Sequence, residues 1–273
     1  MRNALQKIST TGLLIAASFI AVFPLLWMVS MSFMPEAEAN AFPARLFPHD
    51  PTLANYADLF AHQRMGRFLF NSLLVASLAT ALSLGFNVTA GYAFAKLHFR
   101  GREKLFRFLL AVVVIPGQLT MLPLFFQLKT LGLLNSYAGV VVPFMTSLFG
   151  IFLVRQYALG LPNEMLQAAR VDGASEWMIF RKIVLPNLSP IIVTLAVFTF
   201  LAAWNDFLWP LIVLSDDHNY TLPLAIASLS QEHIQDSGMV MACATVTIAP
   251  VILLFLALQR HYVRGLLAGS VKG

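Results

Sequence analysis

The sequence predicts an all-α integral membrane protein with about six transmembrane helices. Three observations carry that prediction. Of 273 residues, 58% are hydrophobic and only 11% charged, with a mean hydropathy of +0.74, whereas a soluble domain carries roughly 25% charged residues. Six apolar stretches each reach the roughly 20 residues that a helix needs to cross a bilayer. Lysine and arginine divide unevenly between the connecting segments, as they do in multi-pass proteins.

The stretches run over Thr11–Phe33, Leu69–Ala95, Leu105–Phe126, Ala138–Tyr157, Leu188–Leu214 and Gly238–Gln259, and make residues 1–273 one multi-pass domain. In lipid every backbone polar group must be bonded internally, which helices achieve. Barrel strands are shorter and alternate in polarity, and nothing here does. Pro24, Pro116, Pro123, Pro143 and Pro250 lie within the stretches as kinks, tolerated because neighbouring helices re-satisfy freed carbonyls. The first stretch follows Arg2 and Lys7 like a signal peptide. Its apolar core exceeds the roughly 7–15 residues of such signals, so it is expected to remain as an anchor.

Orientation follows from the basic residues. With the N-terminus inside, the outer loops hold only Arg45, Arg64, Arg67 and Lys129 of the 18 Lys and Arg. The loop from Ser215 to Ser237 has neither, but carries Asp216, Asp217, Glu232 and Asp236. Both termini are therefore expected in the cytoplasm. The net charge of +5 and pI near 9.6 then read as a topology signal, and a nucleic-acid partner is not expected.

The segment between the fourth and fifth stretches departs from a simple connection. Pro162 and Asn163 start a helix, and Glu164 suits its positive end. A short helix is expected over Glu164–Asp172, ended by Gly173. Ser175 can cap a second one that stops before Pro186. Ala168 and Ala169 leave the first helix flat, so another protein's backbone could approach closely.

Here the residues resemble a known family. Gln167-Ala168-Ala169, then Gly173, then Ile183 and Leu185-Pro186 resemble in order and spacing the cytoplasmic loop that bacterial ATP-binding-cassette (ABC) importer permeases present to their ATPase. One departure stands out: the family's leading Glu is Gln167, which keeps hydrogen-bonding length but loses the charge that can pair with a basic ATPase residue. Shorter matches extend over nearly the whole chain: Phe33-Met34-Pro35, Asn55-Tyr56, Asn71-Ser72, Phe99-Arg100-Gly101-Arg102, Ile115-Pro116-Gly117-Gln118, Trp204-Asn205-Asp206 and the end from Val263. These are similar to the carbohydrate-uptake branch, most like the smaller permease of maltose-type systems.

The resemblance implies a type I importer permease fold in the bacterial inner membrane, moving a sugar or related carbohydrate by alternating access. Its implied partners are a second, non-identical permease, a homodimeric ATPase and an extracytoplasmic substrate-binding protein, besides membrane lipid. It implies that Glu164, Gln167, Ala168, Ala169, Asp172, Gly173, Ile183, Leu185 and Pro186 form the ATPase-coupling loop. It also implies that the tail Gly269-Ser270-Val271-Lys272-Gly273 enters a crevice between the ATPase subunits. Composition is compatible: Gly265, Gly269 and Gly273 argue against a helix continuing from Gln259 to the end. A frayed terminus is the alternative.

Polar residues inside the stretches have two readings each. Asn87, Gln118, Asn205 and Asp206 could line a sugar path, and Thr89 lies near Asn87. Helix-to-helix hydrogen bonds are the other reading. Asp206 sits between Trp204 and Trp209, which resemble an outer aromatic belt, so an interfacial structural role is expected of it. Arg155 is expected to snorkel to the inner surface.

The six histidines show no metal-ligand spacing, and no metal site is expected. Cys243 lies in an apolar run and reads as a small buried hydrophobe. No phosphate-cradling G-x-x-x-x-G-K loop occurs, so ATP is expected on a partner and no cofactor on this chain. An ion-coupled secondary transporter is the rival reading, but no internal repeat or midplane charge pair supports it. An intramembrane enzyme would need a nucleophile–base pair or metal ligands inside the spans, and none is evident.

Overall fold

A computed structural model describes the backbone of residues 2–232 and 236–270, and the side chains of 9–229 and 236–257. Among the described residues every regular element is a helix. In chain order these are α1 (Arg2–Ser32), α2 (Glu36–Ala39), α3 (Ala54–Ala61), α4 (Met65–Lys96), α5 (Arg102–Val112), α6 (Gly117–Thr130), α7 (Tyr137–Val141), α8 (Leu148–Leu159) and α9 (Asn163–Val171). There follow α10 (Glu176–Ile179), a π turn (Phe180–Val184), α11 (Leu185–Asn187), α12 (Ser189–Trp204), α13 (Leu208–Val213), α14 (Leu222–Glu232) and α15 (Ser237–Ser270).

Among the described residues, three helices are long and apolar enough to cross a membrane unbroken: Ser9–Ser32, Met65–Lys96 and Ser237–Ala257. Three further candidates are bent pairs, so the expected six spans are reached only if each pair is one span. The third stretch breaks between α5 and α6 with a bend of 102°. Pro116 offers no N–H and restricts Ile115 before it, so a break replaces the expected kink. The fourth bends by 42° before α8, where the Ser147 hydroxyl accepts from Gly150 N at 3.2 Å and starts a new helix. The fifth is preceded by a 76° bend between Asn187 and Ser189. It also ends early, at Trp204, and resumes as α13.

The chain divides into two compact units. The first comprises residues 1–69 and 225–252. In it Asn55, fixed on α3, donates through Nδ2 to the carbonyls of Ser32 at 3.0 Å and Met34 at 2.9 Å. Those are orphan acceptors at the end of α1, satisfied by a buried side chain. Tyr56 completes the joint, its hydroxyl 2.6 Å from Ser32 Oγ and its ring against Phe33. Along the middle of α1, apolar side chains such as Leu13 and Ile20 are exposed.

The second unit comprises residues 70–224 and 253–273. Its core joins Val88, Tyr92 and Ala95 of α4 to Val154 and Ala158 of α8, Leu166 of α9, Ile179, Phe180 and Val184, and Ile191 and Leu195 of α12. Asn71 ties the opposite end, donating to the His218 and Tyr220 carbonyls at 2.9 Å each and accepting from the Tyr137 hydroxyl at 2.7 Å. Ser72 Oγ accepts from Leu222 N at 2.6 Å.

Several sequence expectations are corrected here. Trp204 and Trp209 are not an exposed belt: both are buried, Trp204 stacked on Phe200 and Trp209 donating from Nε1 to Gly139 O at 3.1 Å. A Trp pair ending an apolar run reads as interfacial, but here the packing within the unit, including the Gly139 bond from α7, buries them. Arg155 has a seat within the protein. Its guanidinium lies 4.0 Å over the Phe106 ring, 3.4 Å from Glu103 and 3.3 Å from Phe94 O, a cation–π and ion-pair seat. The segment after Ser215 contains α14, and α15 runs past Gln259 to Ser270. Gly265 and Gly269 each cost a helix about 1 kcal/mol relative to Ala, which does not end it here.

Candidate functional site

The loop between α8 and α12 is built as a helix, a left-handed turn and a second helix. Pro162 stands at the N-cap of α9 with φ −61° and ψ 129°, a conformation proline presets. Glu164 lies exposed in the first turn and Arg170 in the last, each complementing the helix dipole. Asp172 is the C-cap, so α9 spans Asn163–Val171 rather than Glu164–Asp172. Gly173 follows at φ +81°. Its N–H bonds to Arg170 O and that of Ala174 to Ala169 O, both at 3.0 Å. This paired closure needs a residue that accepts the left-handed conformation, and glycine does so without strain.

Ser175 caps the next helix, its Oγ accepting from Met178 N at 3.3 Å. That helix does not stop before Pro186 as expected. It continues through the π turn and α11 to Asn187, the wider turn shifting the bonding register where Pro186 lacks an N–H. Arg170 locks the two helices together, its Nε and Nη2 at 2.6 and 3.2 Å from the two carboxylate oxygens of Glu176. This hydrogen bonding holds the Glu176 carboxyl below the ordinary carboxylate range.

One side of the loop is anchored and the other presented. Leu166, Ile179 and Val184 are buried, and Ala169, Ala174, Ile183 and Leu185 pack against the same core. Ile183 and Leu185 therefore act as anchors within the motif. The opposite side exposes Gln167, Ala168, Asp172 and Pro186 together with Val171 at 87%, Trp177 at 67% and Met178 at 45% exposure. These three apolar side chains escape a motif-based reading. Trp177 within a polar loop is the signal that could have found them. Gln167 also lines a cavity of about 230 Å³ with Lys96, His98, Arg102, Asn163 and Arg170.

Residues 87–267 match the family described as the inner membrane component of binding-protein-dependent transport systems. The chain belongs to that family. Curated relatives include the arabinooligosaccharides transport system permease protein AraQ of Halalkalibacterium halodurans, 39% identical over 94% of this chain and 93% of the relative. The lactose transport system permease protein LacG of Rhizobium radiobacter is 33% identical over 100% and 98%. Among solved structures, a bacterial ABC transporter involved in import of the acidic polysaccharide alginate superposes with a TM-score of 0.84. It covers 96% of this chain and 98% of that one at 22% identity, a likeness of fold. The chain is thus a multi-pass inner-membrane permease of the ABC importer type, not an ion-coupled secondary transporter.

The polar residues of the permease's spans are not gathered into one site. Asn87 is fully buried. Its Nδ2 donates to Ser83 Oγ at 2.7 Å, and its Oδ1 accepts from Ser147 N at 2.9 Å. It thereby satisfies a backbone donor freed by the break before α8. Thr89 bonds within its own helix. Gln118 is exposed at the start of α6. Asn205 donates to Leu201 O at 2.8 Å, and Asp206 accepts from Trp209 N at 3.4 Å, a capping contact for α13.

Of the tail, Gly269 and Ser270 have backbone positions at the end of α15, while Val271, Lys272 and Gly273 lie outside the described residues. Asp216, Asp217 and His218 converge despite the absence of a ligand spacing in sequence. The His218 ring lies 3.0 and 2.8 Å from the two exposed carboxylates, and the group's potential ligand atoms lie within 4.8 Å of one another. Hydrogen bonds from His218 hold the Asp216 carboxyl below its ordinary range. The group is an exposed hydrogen-bonded cluster.

Proposed function

We propose that this permease carries a sugar or oligosaccharide inward, and that the α9–α10 loop is where a partner ATPase drives it. The observation that carries the reading is the two-sided build of the loop. One side is locked into the core of α4, α8 and α12. The other presents Ala168, Val171, Trp177 and Met178 to a partner. Apolar side chains presented together on one loop suit an interaction surface. The carbohydrate assignment is supported by the sugars for which the relatives are named.

The loop then faces the cytoplasm, with both termini on the same side. ATP is bound and hydrolysed by a homodimeric ATPase, and this chain performs no chemistry and holds no cofactor. An extracytoplasmic binding protein delivers the sugar, and a second, different permease completes the path. When the ATPase subunits close, α9 moves with them and shifts an equilibrium between inward- and outward-open arrangements.

Two substitutions test the dock. Gly173→Leu forces a side chain to φ +81°, at a cost of roughly 1–2 kcal/mol, and Ala169→Asp puts a charge where the loop packs. Each should abolish sugar uptake and ATPase co-purification while the permease stays in the membrane. Normal uptake in both variants would mean that the loop is not the dock.

A further inference from the structure

Lys96 is the last residue of α4 and is only 8% exposed. Its Nζ donates to Leu161 O at 2.6 Å, to Asn163 Oδ1 at 2.8 Å and to Leu159 O at 3.4 Å. All three acceptors are neutral, and they belong to successive parts of one joint. Leu159 closes α8, Leu161 lies in the turn, and Asn163 opens α9. The ammonium sits where the orphan carbonyls of α8 concentrate negative partial charge. A buried ammonium needs all of its hydrogen bonds, so the joint has one favourable geometry.

The other contacts between α4 and the loop are apolar and lack the directionality of a hydrogen bond: Tyr92 against Phe180, with ring centroids 5.2 Å apart, and Ala95 in the cluster with Leu166. Beside Lys96 the cavity of about 230 Å³ leaves α9 without close packing toward His98 and Arg102. Lys96 adds the directional tie, joining α4 to both sides of the turn at 160–162.

We propose that Lys96 is a positioning residue of the transport cycle: it pins the first residue of α9 and the end of α8 to α4, so that displacement of the loop is passed into that helix. This rests on the reading of the α9–α10 loop as the ATPase dock. No contact of Lys96 with the ATPase or with sugar is involved.

The test uses the complete complex in proteoliposomes, with ATP as the substrate and hydrolysis measured with and without the binding protein. Lys96→Met keeps length and removes the three bonds. It should leave the ATPase bound in normal ratio and basal hydrolysis unchanged, while binding-protein stimulation falls on the order of tenfold. Asn163→Ala removes one bond and should give an intermediate loss of roughly threefold. The double variant should be no worse than Lys96→Met, because both act through one joint.

Full stimulation in an assembled Lys96→Met complex, or losses that multiply in the double variant, would overturn the proposal. Should Lys96→Met fail to assemble, Asn163→Ala decides: an intermediate loss supports the tie and unaltered stimulation refutes it. A wild-type complex that retains no ATPase would instead sink the docking reading itself.

Discussion

The approach of α4 to α8 sets the geometry of the α9–α10 loop, and Gly91 controls it. A Cβ at Gly91 would lie 2.6 Å from Val154 Cβ, 2.7 Å from Val154 Cγ1 and 3.0 Å from Ile151 O. Carbon atoms settle at about 3.5–4.0 Å, so α8 would have to retreat by about 1 Å. A rotamer change could move only Val154 Cγ1 and would leave Val154 Cβ and Ile151 O in place. Overpacking of this kind costs about 1–3 kcal/mol, against roughly 1 kcal/mol regained in helix propensity. Gly91→Ala should therefore destabilise the protein by up to about 2 kcal/mol. Gly85, on the same helix, meets nothing within 4 Å, and Gly85→Ala should be neutral or stabilising by up to about 1 kcal/mol. Reversible unfolding in mixed micelles measures both. Equal stability of the two variants would refute the close approach of α4 and α8, and with it the placement of α9.

Three further outcomes are expected. Reporter fusions after Asp50 and Gln231 should read external and one after Asp172 internal, and a cytoplasmic signal at Asp50 would break the topology. Because Arg170 holds the folded Glu176 carboxyl low, the pair contributes above the unfolded carboxylate range and is lost as pH falls through the lowered folded value. As the pair is exposed, Glu176→Gln should change stability at pH 7 by no more than about 0.5 kcal/mol, and any such difference should vanish in acid unfolding. Deleting Leu267 through Gly273 should leave the complex assembled but free its ATP hydrolysis from dependence on binding protein. Unchanged regulation would make those residues a frayed end.

The α9–α10 loop was readable because its signals are local. Pro162, Gly173 and Ser175 each dictate their own backbone state, and the α9 boundaries moved by only one residue. The long spans α1, α4 and α15 were readable because length and hydropathy suffice. What escaped depends on partners distant in sequence. A proline in an apolar run can be a kink or a break, and the choice at Ser147 is stabilised by Asn87, sixty residues earlier. Trp204 and Trp209 carry the chemistry of interfacial residues, and only tertiary packing buries them. Lys96 reads as one of several inner-surface charges, since its acceptors, Leu159 and Leu161, are backbone oxygens that leave no trace in composition.

The most direct test of the docking claim uses a thiol on the presented face of α9. Cys243 is the chain's one cysteine and is buried, so Ala168→Cys, at an exposed position, adds the reactive thiol. Labelling by a water-soluble maleimide would be followed in inside-out vesicles, with the ATPase co-expressed or omitted. The account predicts rapid labelling of the permease alone and protection on the order of tenfold or more in the complex, as expected for a residue buried in an interface core. Equal rates with a stoichiometric ATPase present would contradict it.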